Sequence, residues 1–270
     1  MPKLPKLPAP PLPPPLREPP PRPGSPNGKT GPVEGAMEAG ITVVDWVDER
    51  TSLSGAARWM MFRKVPKGTN WFYTLGSATM FAFLSQAVTG VFLAMYYRPD
   101  PAGGAYESIR YVTNDVFLGQ FVRGMHKWGS SVMVILVFLH MGRTFFFGAY
   151  KYPRELNWVI GVVLLILTMV MSFTGYLLPF DQRAYWATIV GVNINGTGPL
   201  VGPYLSDFLR GGSEFGATTL SRFYAIHMLL IPGALIALIG AHLYLVAKLG
   251  TTAPPWQKVE KRAELREAEV

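Results

Sequence analysis

The 270-residue chain is 49% hydrophobic and only 16% charged, with a mean hydropathy of +0.22, which is too apolar for an ordinary soluble domain and indicates a membrane protein. Its net charge of +8 comes from basic residues spread among apolar runs, which disfavours a nucleic-acid partner. The absence of cysteine excludes disulfides, thiolate metal sites and a haem attached through a thioether, so the four histidines are the soft metal ligands that remain.

The N-terminal segment differs in composition from the rest of the chain. Residues 1–38 hold fourteen of the 24 prolines, interleaved with Lys and Arg, and are predicted to form a disordered cytoplasmic tail. Residues 41–62 set apolar residues such as Trp46 and Trp59 among charged ones, a pattern that favours an amphipathic helix on a membrane surface. A helix packed against a soluble partner would show the same pattern.

Four apolar stretches follow, each at or above the roughly 20 residues that span a bilayer core. They predict an all-α membrane protein: a four-transmembrane-helix bundle, preceded by the interfacial amphipathic helix. The bundle domain is predicted to cover residues 39–250, and residues 251–270 form a charged cytoplasmic tail. The predicted spans are residues 71–97, 122–149, 157–179 and 219–248.

The distribution of basic residues predicts the orientation. Ten Lys and Arg precede the first span, three lie in the second connection and five follow the fourth span, which puts 18 of 25 on one side. By the positive-inside rule both termini are cytoplasmic, as in a protein of the bacterial inner (plasma) membrane. The loops 98–121 and 180–218 then face the other compartment, and the second is expected to fold into small surface helices and to carry function.

All four histidines fall inside predicted spans. The second span holds His126 and His140, whose fourteen-residue spacing puts both rings on one helix face about 21 Å apart. The fourth span holds His227 and His242, fifteen residues apart, so the second ring is rotated about 60° further round the helix. Because these two spans run in the same direction, His126 is predicted to be level with His227, and His140 with His242. We call these pairs the first rung and the second rung.

Two facing imidazoles without a nearby carboxylate or thiolate suit a low-spin haem iron with both axial positions filled. A single intramembrane histidine could instead make an interhelical hydrogen bond, but four histidines in two matched pairs favour two non-covalent b-type haems.

Glycines repeat the same spacing in the other two spans. Gly76 and Gly90 are fourteen residues apart in the first span, as are Gly161 and Gly175 in the third. A flat macrocycle needs a helix without a side chain at its level, so these pairs are predicted to be haem notches, although small residues also mediate helix packing.

Three basic residues lie beside the histidines in sequence. Arg123 and Lys127 flank His126, and Arg143 lies one turn beyond His140, so each is a candidate to pair with haem propionates. Charges that snorkel to the membrane interface would occupy the same positions.

Several motifs in one order, over about residues 41–250, resemble the cytochrome b of quinol-oxidising cytochrome bc complexes. The fifteen-residue second spacing and the end of the chain after the fourth span are similar to the short, split cytochrome b6 type. The motifs are Asp45-Trp46-Val47-Asp48-Glu49-Arg50, Asn70-Trp71-Phe72-Tyr73-Thr74-Leu75-Gly76, Thr89-Gly90, Tyr97-Arg98-Pro99, Pro153-Arg154-Glu155-Leu156, Gly175-Tyr176-Leu177-Leu178-Pro179 and Ser221-Arg222-Phe223-Tyr224-Ala225-Ile226-His227.

The resemblance implies a Q cycle between an outer quinol-oxidation site and an inner quinone-reduction site. It implies that the first rung ligates the outer haem and the second rung the inner haem, and that Gln182, Tyr185 and Trp186 border the outer quinol pocket. The Pro-Glu-Trp-Tyr motif for the other half of that pocket is absent from this sequence. A second membrane subunit is therefore expected to supply it. The resemblance also implies a Rieske-type iron–sulfur protein, a cytochrome c-type subunit or acceptor, and a second copy of the complex.

The sequence departs from the family pattern at three places. Thr74 stands where split members commonly carry the cysteine that attaches an extra haem, so no covalent haem is expected. Phe180 replaces a basic residue before Asp-Gln, with Arg183 just beyond that pair, and Lys127 replaces an arginine. None of these changes affects a predicted axial ligand.

Two other functions remain open from the residues. A dihaem membrane anchor of a dehydrogenase or hydrogenase could carry the same four histidines. In a non-redox transporter or assembly protein, intramembrane histidines could relay protons.

Overall fold

The computed structural model describes residues 32–51, 55 and 68–257, in two units, residues 1–65 and 66–270. The described part of the first unit is a helix, α1 (Pro32–Thr51). This helix begins inside the segment predicted to be disordered, because Pro32 suits the first turn of a helix and no proline follows it before Thr51. The rest of the predicted amphipathic helix, residues 52–54 and 56–62, lies outside the described residues, as do residues 1–31 and 258–270.

All secondary-structure elements in the described part of the second unit are helices. A short 3₁₀ turn (Trp71–Thr74) leads into the first long helix, and one turn of π-helix (Ile226–Leu230) interrupts the last. The α-helices are α2 (Leu75–Ala94), α3 (Gly104–Asn114), α4 (Gly119–Phe146), α5 (Glu155–Leu177), α6 (Gln182–Gly196), α7 (Gly202–Arg210), α8 (Ala217–Ala225) and α9 (Ile231–Leu249).

Four continuous helices are long and apolar enough to cross a bilayer, which confirms the predicted fold class. Their bounds differ from the predicted ones by a few residues. The second, for example, ends at Phe146 because Gly148 takes a left-handed φ of +65° and stops the helix. The four helices are Trp71–Ala94, Gly119–Phe146, Glu155–Leu177 and Ala217–Leu249.

The long helices pack as two pairs. Helix α2 lies along α4, and α5 lies along α9. Each pair therefore joins a helix with two predicted notch glycines to a helix that carries two histidines, if the π-turn with His227 is counted with α9.

The most deeply buried apolar residues lie at one end of the second pair, where α5, α6, α7 and α8 meet. Leu177, Val192, Leu220 and Phe223 are fully buried there. Helices α6 and α7 are the small helices predicted for the loop 180–218. Helix α6 starts at this end because the Asp181 carboxylate accepts a hydrogen bond from the Ala184 N–H at 2.8 Å.

Candidate functional site

The structure brings the four histidines together in the two predicted rungs. The ring centroids of His126 and His227 are 6.4 Å apart with an interplanar angle of 77°, and those of His140 and His242 are 6.4 Å apart at 75°. The two rungs thus have the same geometry, although one histidine helix has a spacing of fourteen residues and the other of fifteen.

The π-helical turn explains this equality. A fifteen-residue spacing in a regular α-helix would rotate His242 about 60° away from His227. The turn Ile226–Leu230, which contains His227, accommodates one extra residue, or about 100° of rotation, and so makes the fifteen-residue spacing equivalent to the fourteen-residue spacing of α4. Pro232 lies just beyond the turn and cannot donate a hydrogen bond to the preceding turn, which favours the wider helix there.

The donor set of each rung fits an iron atom inside a macrocycle. Imidazole nitrogens bind first-row transition metals at about 2 Å, so two trans imidazoles hold their ring centroids about 6.3 Å apart. In the part of the chain that the structure describes, no group of three or more His, Asp or Glu residues could hold a metal ion. Each rung could therefore give a metal ion two ligands, and a macrocycle would have to supply the others.

Each of the four glycines faces one imidazole. A Cβ atom at Gly90 would lie 3.2 Å from Cε1 of His126, and one at Gly175 would lie 2.5 Å from Cε1 of His227. On the second rung, a Cβ atom at Gly76 would lie 3.1 Å from Cε1 of His140. The corresponding distance from Gly161 to Cε1 of His242 is 3.7 Å. The glycines thus make room for the edges of the histidine rings.

Hydrogen bonds distinguish the two rungs. Nδ1 of His126 lies 2.9 Å from the Thr89 hydroxyl, and Nδ1 of His227 lies 3.0 Å from the Met171 carbonyl and 3.3 Å from the Thr174 hydroxyl. On the second rung, the described residues provide no hydrogen-bond partner of normal geometry for Nδ1 of His140 or of His242.

The three predicted basic residues have different surroundings. Arg143 is close to the second rung: its guanidinium carbon lies 4.8 Å from the Tyr73 ring, and its buried Nε has no hydrogen-bond partner among the described residues. Arg123 donates a hydrogen bond to the Thr113 hydroxyl on α3, and exposed Lys127 lies over the Trp128 ring. Arg143 therefore has the free buried donor that a carboxylate ligand would need.

A cavity of about 310 Å³ opens beside the start of α6 and collects the three residues assigned to the quinol pocket. Within it, the indole N–H of Trp186 donates a hydrogen bond to Oε1 of Gln182 at 2.9 Å. Pro101 and Asp181 also line the cavity and were not predicted from the sequence, and so does Phe180, which was noted only as a departure from the family pattern. Asp181 could have been expected there, because an aspartate just before a helix that starts at Gln182 is a typical N-cap. Pro101 is distant in sequence and lies at the cavity only because of the tertiary fold. The lining residues are Pro101, Phe180, Asp181, Gln182, Tyr185 and Trp186.

Tyr97 is hydrogen-bonded to the backbone of the segment just before this cavity. Its hydroxyl donates a 2.6 Å hydrogen bond to the Leu178 carbonyl, and its ring stacks on Tyr224 with centroids 5.3 Å apart. Burial, with a smaller contribution from Tyr224, raises the pKa of the Tyr97 hydroxyl, so the donor stays protonated. Tyr97 thereby fixes the turn between α5 and α6 that carries Phe180 and Asp181.

Comparisons with known proteins identify the family of this chain. The family model described as cytochrome b/b6/petB matches residues 60–250. The menaquinol:cytochrome c reductase cytochrome b subunit of Geobacillus thermodenitrificans is 44% identical over 218 residues, which cover 78% of this chain and 97% of that protein. The cytochrome b6 of Heliobacterium modesticaldum is 42% identical over 213 residues, which cover 78% of this chain and 100% of that protein.

A solved structure described as a hyperthermophilic respiratory Complex III superposes with a TM-score of 0.71 at 32% sequence identity. The match covers 78% of this chain and 56% of that one, so this chain spans little more than half of its structural relative. The family match covers most of the chain, and the two relatives are matched almost end to end. The chain therefore belongs to the cytochrome b/b6 family.

Proposed function

We propose that this chain is the haem b-carrying electron-transfer subunit of a quinol:cytochrome c oxidoreductase, or of a related complex with a plastocyanin-like acceptor. The observation that carries the proposal is the pair of rungs, each with two imidazoles whose centroids are 6.4 Å apart. A b-type haem held by two histidines would supply single-electron transfer. His126 and His227 would hold one such haem, and His140 and His242 a second.

The orientation assigns the rungs to sides of the membrane. The basic residues favour cytoplasmic termini in a bacterial inner membrane, which would put the first rung near the outer side and the second near the cytoplasm. Arg143, with an unpartnered buried Nε beside the second rung, suits an inner haem propionate. Arg123 and Lys127 remain candidates for the outer haem.

The outer quinol pocket would use the cavity at the start of α6. Gln182, Tyr185 and Trp186 present polar groups from one helical turn, and the apolar ring of Phe180 and Pro101 complete the lining. Such a mixture of apolar walls and a few polar groups suits a quinol head group. A second membrane subunit would supply the other half, since the Pro-Glu-Trp-Tyr motif is absent here.

The proposed complex contains further subunits. The relatives are named as subunits of a menaquinol:cytochrome c reductase and as cytochromes b6. We infer partners of three kinds: a Rieske-type iron–sulfur protein, a cytochrome c-type subunit or acceptor, and a second copy of the complex. Quinol oxidation on the outer side would release protons there and quinone reduction near the cytoplasm would take them up, so the complex would translocate protons, whereas this chain alone would not be active.

Membership of the cytochrome b/b6 family favours this function over the two alternatives. A dihaem anchor of a dehydrogenase or hydrogenase would co-purify with that enzyme and not with an iron–sulfur protein of the Rieske type. A transporter or assembly protein would show no visible haem absorption. Thr74 gives no thiol for attachment, so the haems of this chain would be non-covalent.

The test uses the purified complex and two variants that each lack one proposed iron ligand, His126→Leu and His140→Leu. A pyridine haemochrome assay should give two b-type haems per chain in the unmodified complex, with no haem stain on this chain in a denaturing gel. Each variant should lose one haem and retain the other, whereas Met141→Leu, beside His140 on another helix face, should keep both. Absence of haem from the unmodified complex, or loss of both haems from each folded variant, would refute the pairing.

A further inference from the structure

The residue before each notch glycine differs between the rungs. Threonine precedes the glycine at the first rung, in Thr89-Gly90 on α2 and in Thr174-Gly175 on α5. Aliphatic residues precede it at the second rung, where Leu75 comes before Gly76 and Ile160 before Gly161. On both glycine helices, therefore, a hydroxyl-bearing residue precedes the first-rung glycine and an aliphatic residue precedes the second-rung glycine.

At Thr89, the hydrogen-bond directions follow from the chemistry of the groups. The hydroxyl oxygen lies 2.7 Å from the Ser85 carbonyl and 2.9 Å from Nδ1 of His126. A carbonyl can only accept, so the single hydroxyl proton is donated to Ser85. The hydroxyl oxygen then accepts from Nδ1–H of His126, and the ring keeps its Nε2 lone pair for a metal.

Thr174 repeats this arrangement on the other glycine helix. Its hydroxyl donates to the Val170 carbonyl at 2.9 Å and lies 3.3 Å from Nδ1 of His227. The same Nδ1 lies 3.0 Å from the Met171 carbonyl, an acceptor that also requires the proton on Nδ1. His227 is thus held in the same tautomer as His126, by a hydroxyl and a carbonyl together.

The second rung has no equivalent hydroxyl at either imidazole within the described residues. His242 faces the Asn157 carbonyl, but its Nδ1 makes no hydrogen bond of normal geometry within the described part of the chain, and neither does Nδ1 of His140. An acceptor at Nδ1 makes an imidazole a more basic ligand. A more basic ligand stabilises oxidised iron relative to reduced iron and so lowers the midpoint potential.

We propose that Thr89 and Thr174 are positioning residues that fix the ligating tautomer of His126 and His227 and lower the midpoint potential of the first-rung haem relative to the second. This inference rests on the proposed function, since it assumes a haem on each rung. The hydroxyls would favour passage of an electron from the first rung to the second, which is the inward direction in the proposed orientation.

The test is a redox titration of the b-haem absorbance in the purified complex, with the two haems assigned from His126→Leu and His140→Leu. Thr89→Val and Thr174→Val keep the side-chain shape and remove the hydroxyl. In the double variant, the first-rung potential should rise enough to change the electron-sharing equilibrium between the haems about tenfold, which is about 59 mV for one electron. The second-rung potential should stay the same.

Two further variants make the comparison specific. Thr168→Val on α5, about two turns from both Gly161 and Gly175, removes a buried hydroxyl that donates to the Leu164 carbonyl at 2.8 Å, the same helical back-bond, but makes no hydrogen bond to a histidine in the described part of the chain; it should change neither potential. Ile160→Thr introduces a hydroxyl before Gly161 and should lower the second-rung potential. Thr174→Ser keeps the hydroxyl and should leave the first-rung potential near its original value.

Unchanged potentials in the valine double variant, or an equal shift in Thr168→Val, would overturn the inference while leaving the proposed function intact. If the double variant loses its haem, Ile160→Thr decides the matter: a lower second-rung potential supports the inference and an unchanged one overturns it. A complex that contains no b-type haem before any substitution would refute the proposed function itself.

Discussion

The backbone of Gly175 packs against the imidazole edge of His227 so closely that a Cβ atom at Gly175 would lie 2.5 Å from Cε1 and 3.0 Å from Nδ1. His227 is only 7% exposed and its Nδ1 is hydrogen-bonded to the Met171 carbonyl, so the ring has little room to move away from Gly175. Of the four notch glycines, Gly175 therefore leaves the least room for a Cβ atom.

We therefore expect Gly175→Ala to displace His227 and to disrupt the first rung. Overpacking of this kind costs about 1–3 kcal/mol, which is enough to weaken haem retention about fivefold to 150-fold. The haem content of the purified complex should fall from two towards one b-type haem per chain, as measured by the pyridine haemochrome assay.

Gly161→Ala is the matched control. A Cβ atom at Gly161 would lie 3.7 Å from Cε1 of His242, an ordinary van der Waals distance, so this variant should lose less haem than Gly175→Ala. Equal haem loss in the two variants, or full retention in Gly175→Ala, would contradict the geometry.

Tyr97→Phe should loosen the turn that carries the cavity residues. The substitution removes the 2.6 Å hydrogen bond to the Leu178 carbonyl and should lower the free energy of unfolding by about 1 kcal/mol. The KM for quinol should rise as the turn becomes less ordered. Thermal loss of haem absorbance and steady-state kinetics would measure the two effects, with Tyr106→Phe on an exposed ring as the control.

The same hydroxyl predicts a difference at alkaline pH. Burial raises the pKa of Tyr97 in the folded protein above its unfolded value of about 10, so its stabilising contribution is full below pH 10 and is lost as the pH rises further. Stability measured between pH 9 and 11 should therefore fall less steeply in Tyr97→Phe than in the unmodified protein. Parallel slopes would mean that this hydroxyl does not control alkaline stability.

The periodicity of the sequence was sufficient to predict the architecture, because the spans and the two histidine pairs depend on local helical geometry. The apparent 60° offset of His242 was the one feature that regular geometry predicted incorrectly. The π-turn at Ile226–Leu230 removes it, and Pro232 was the signal in the sequence.

Apart from the two histidine rungs, the contacts between helices could not be predicted from the sequence. The pairing of each glycine with a particular imidazole depends on which helices pack together, and the contribution of Pro101 to the cavity depends on where the connection before α3 folds. The hydrogen bond that the Thr174 hydroxyl accepts from Nδ1–H of His227 joins residues 53 positions apart, so no local pattern indicated it.

Arg154→Gln should destabilise the end of the bundle that contains the second rung. The guanidinium donates to the last carbonyls of α9, with Nη2 3.1 Å from the Leu249 oxygen and Nε 3.3 Å from the Gly250 oxygen. Losing these charge-assisted bonds at a helix C-terminus should cost about 1–2 kcal/mol. The second-rung haem spectrum should then be lost at a lower temperature than the first-rung spectrum, whereas Lys151→Gln at an exposed position should change neither. Simultaneous loss of both spectra at an unchanged temperature would contradict this role.

Trp186→Phe tests the polar side of the cavity. The indole N–H holds the Gln182 amide through a 2.9 Å hydrogen bond, and phenylalanine keeps an aromatic wall while releasing that amide. Loss of one such bond is worth about 0.5–1.5 kcal/mol, so the KM for quinol should rise about twofold to tenfold while both haems remain bound. Ile194→Val, two turns further along the exposed face of α6 and outside the cavity, should leave the KM unchanged. An unchanged KM in Trp186→Phe, or an equal change in Ile194→Val, would remove the Gln182–Trp186 pair from the quinol pocket.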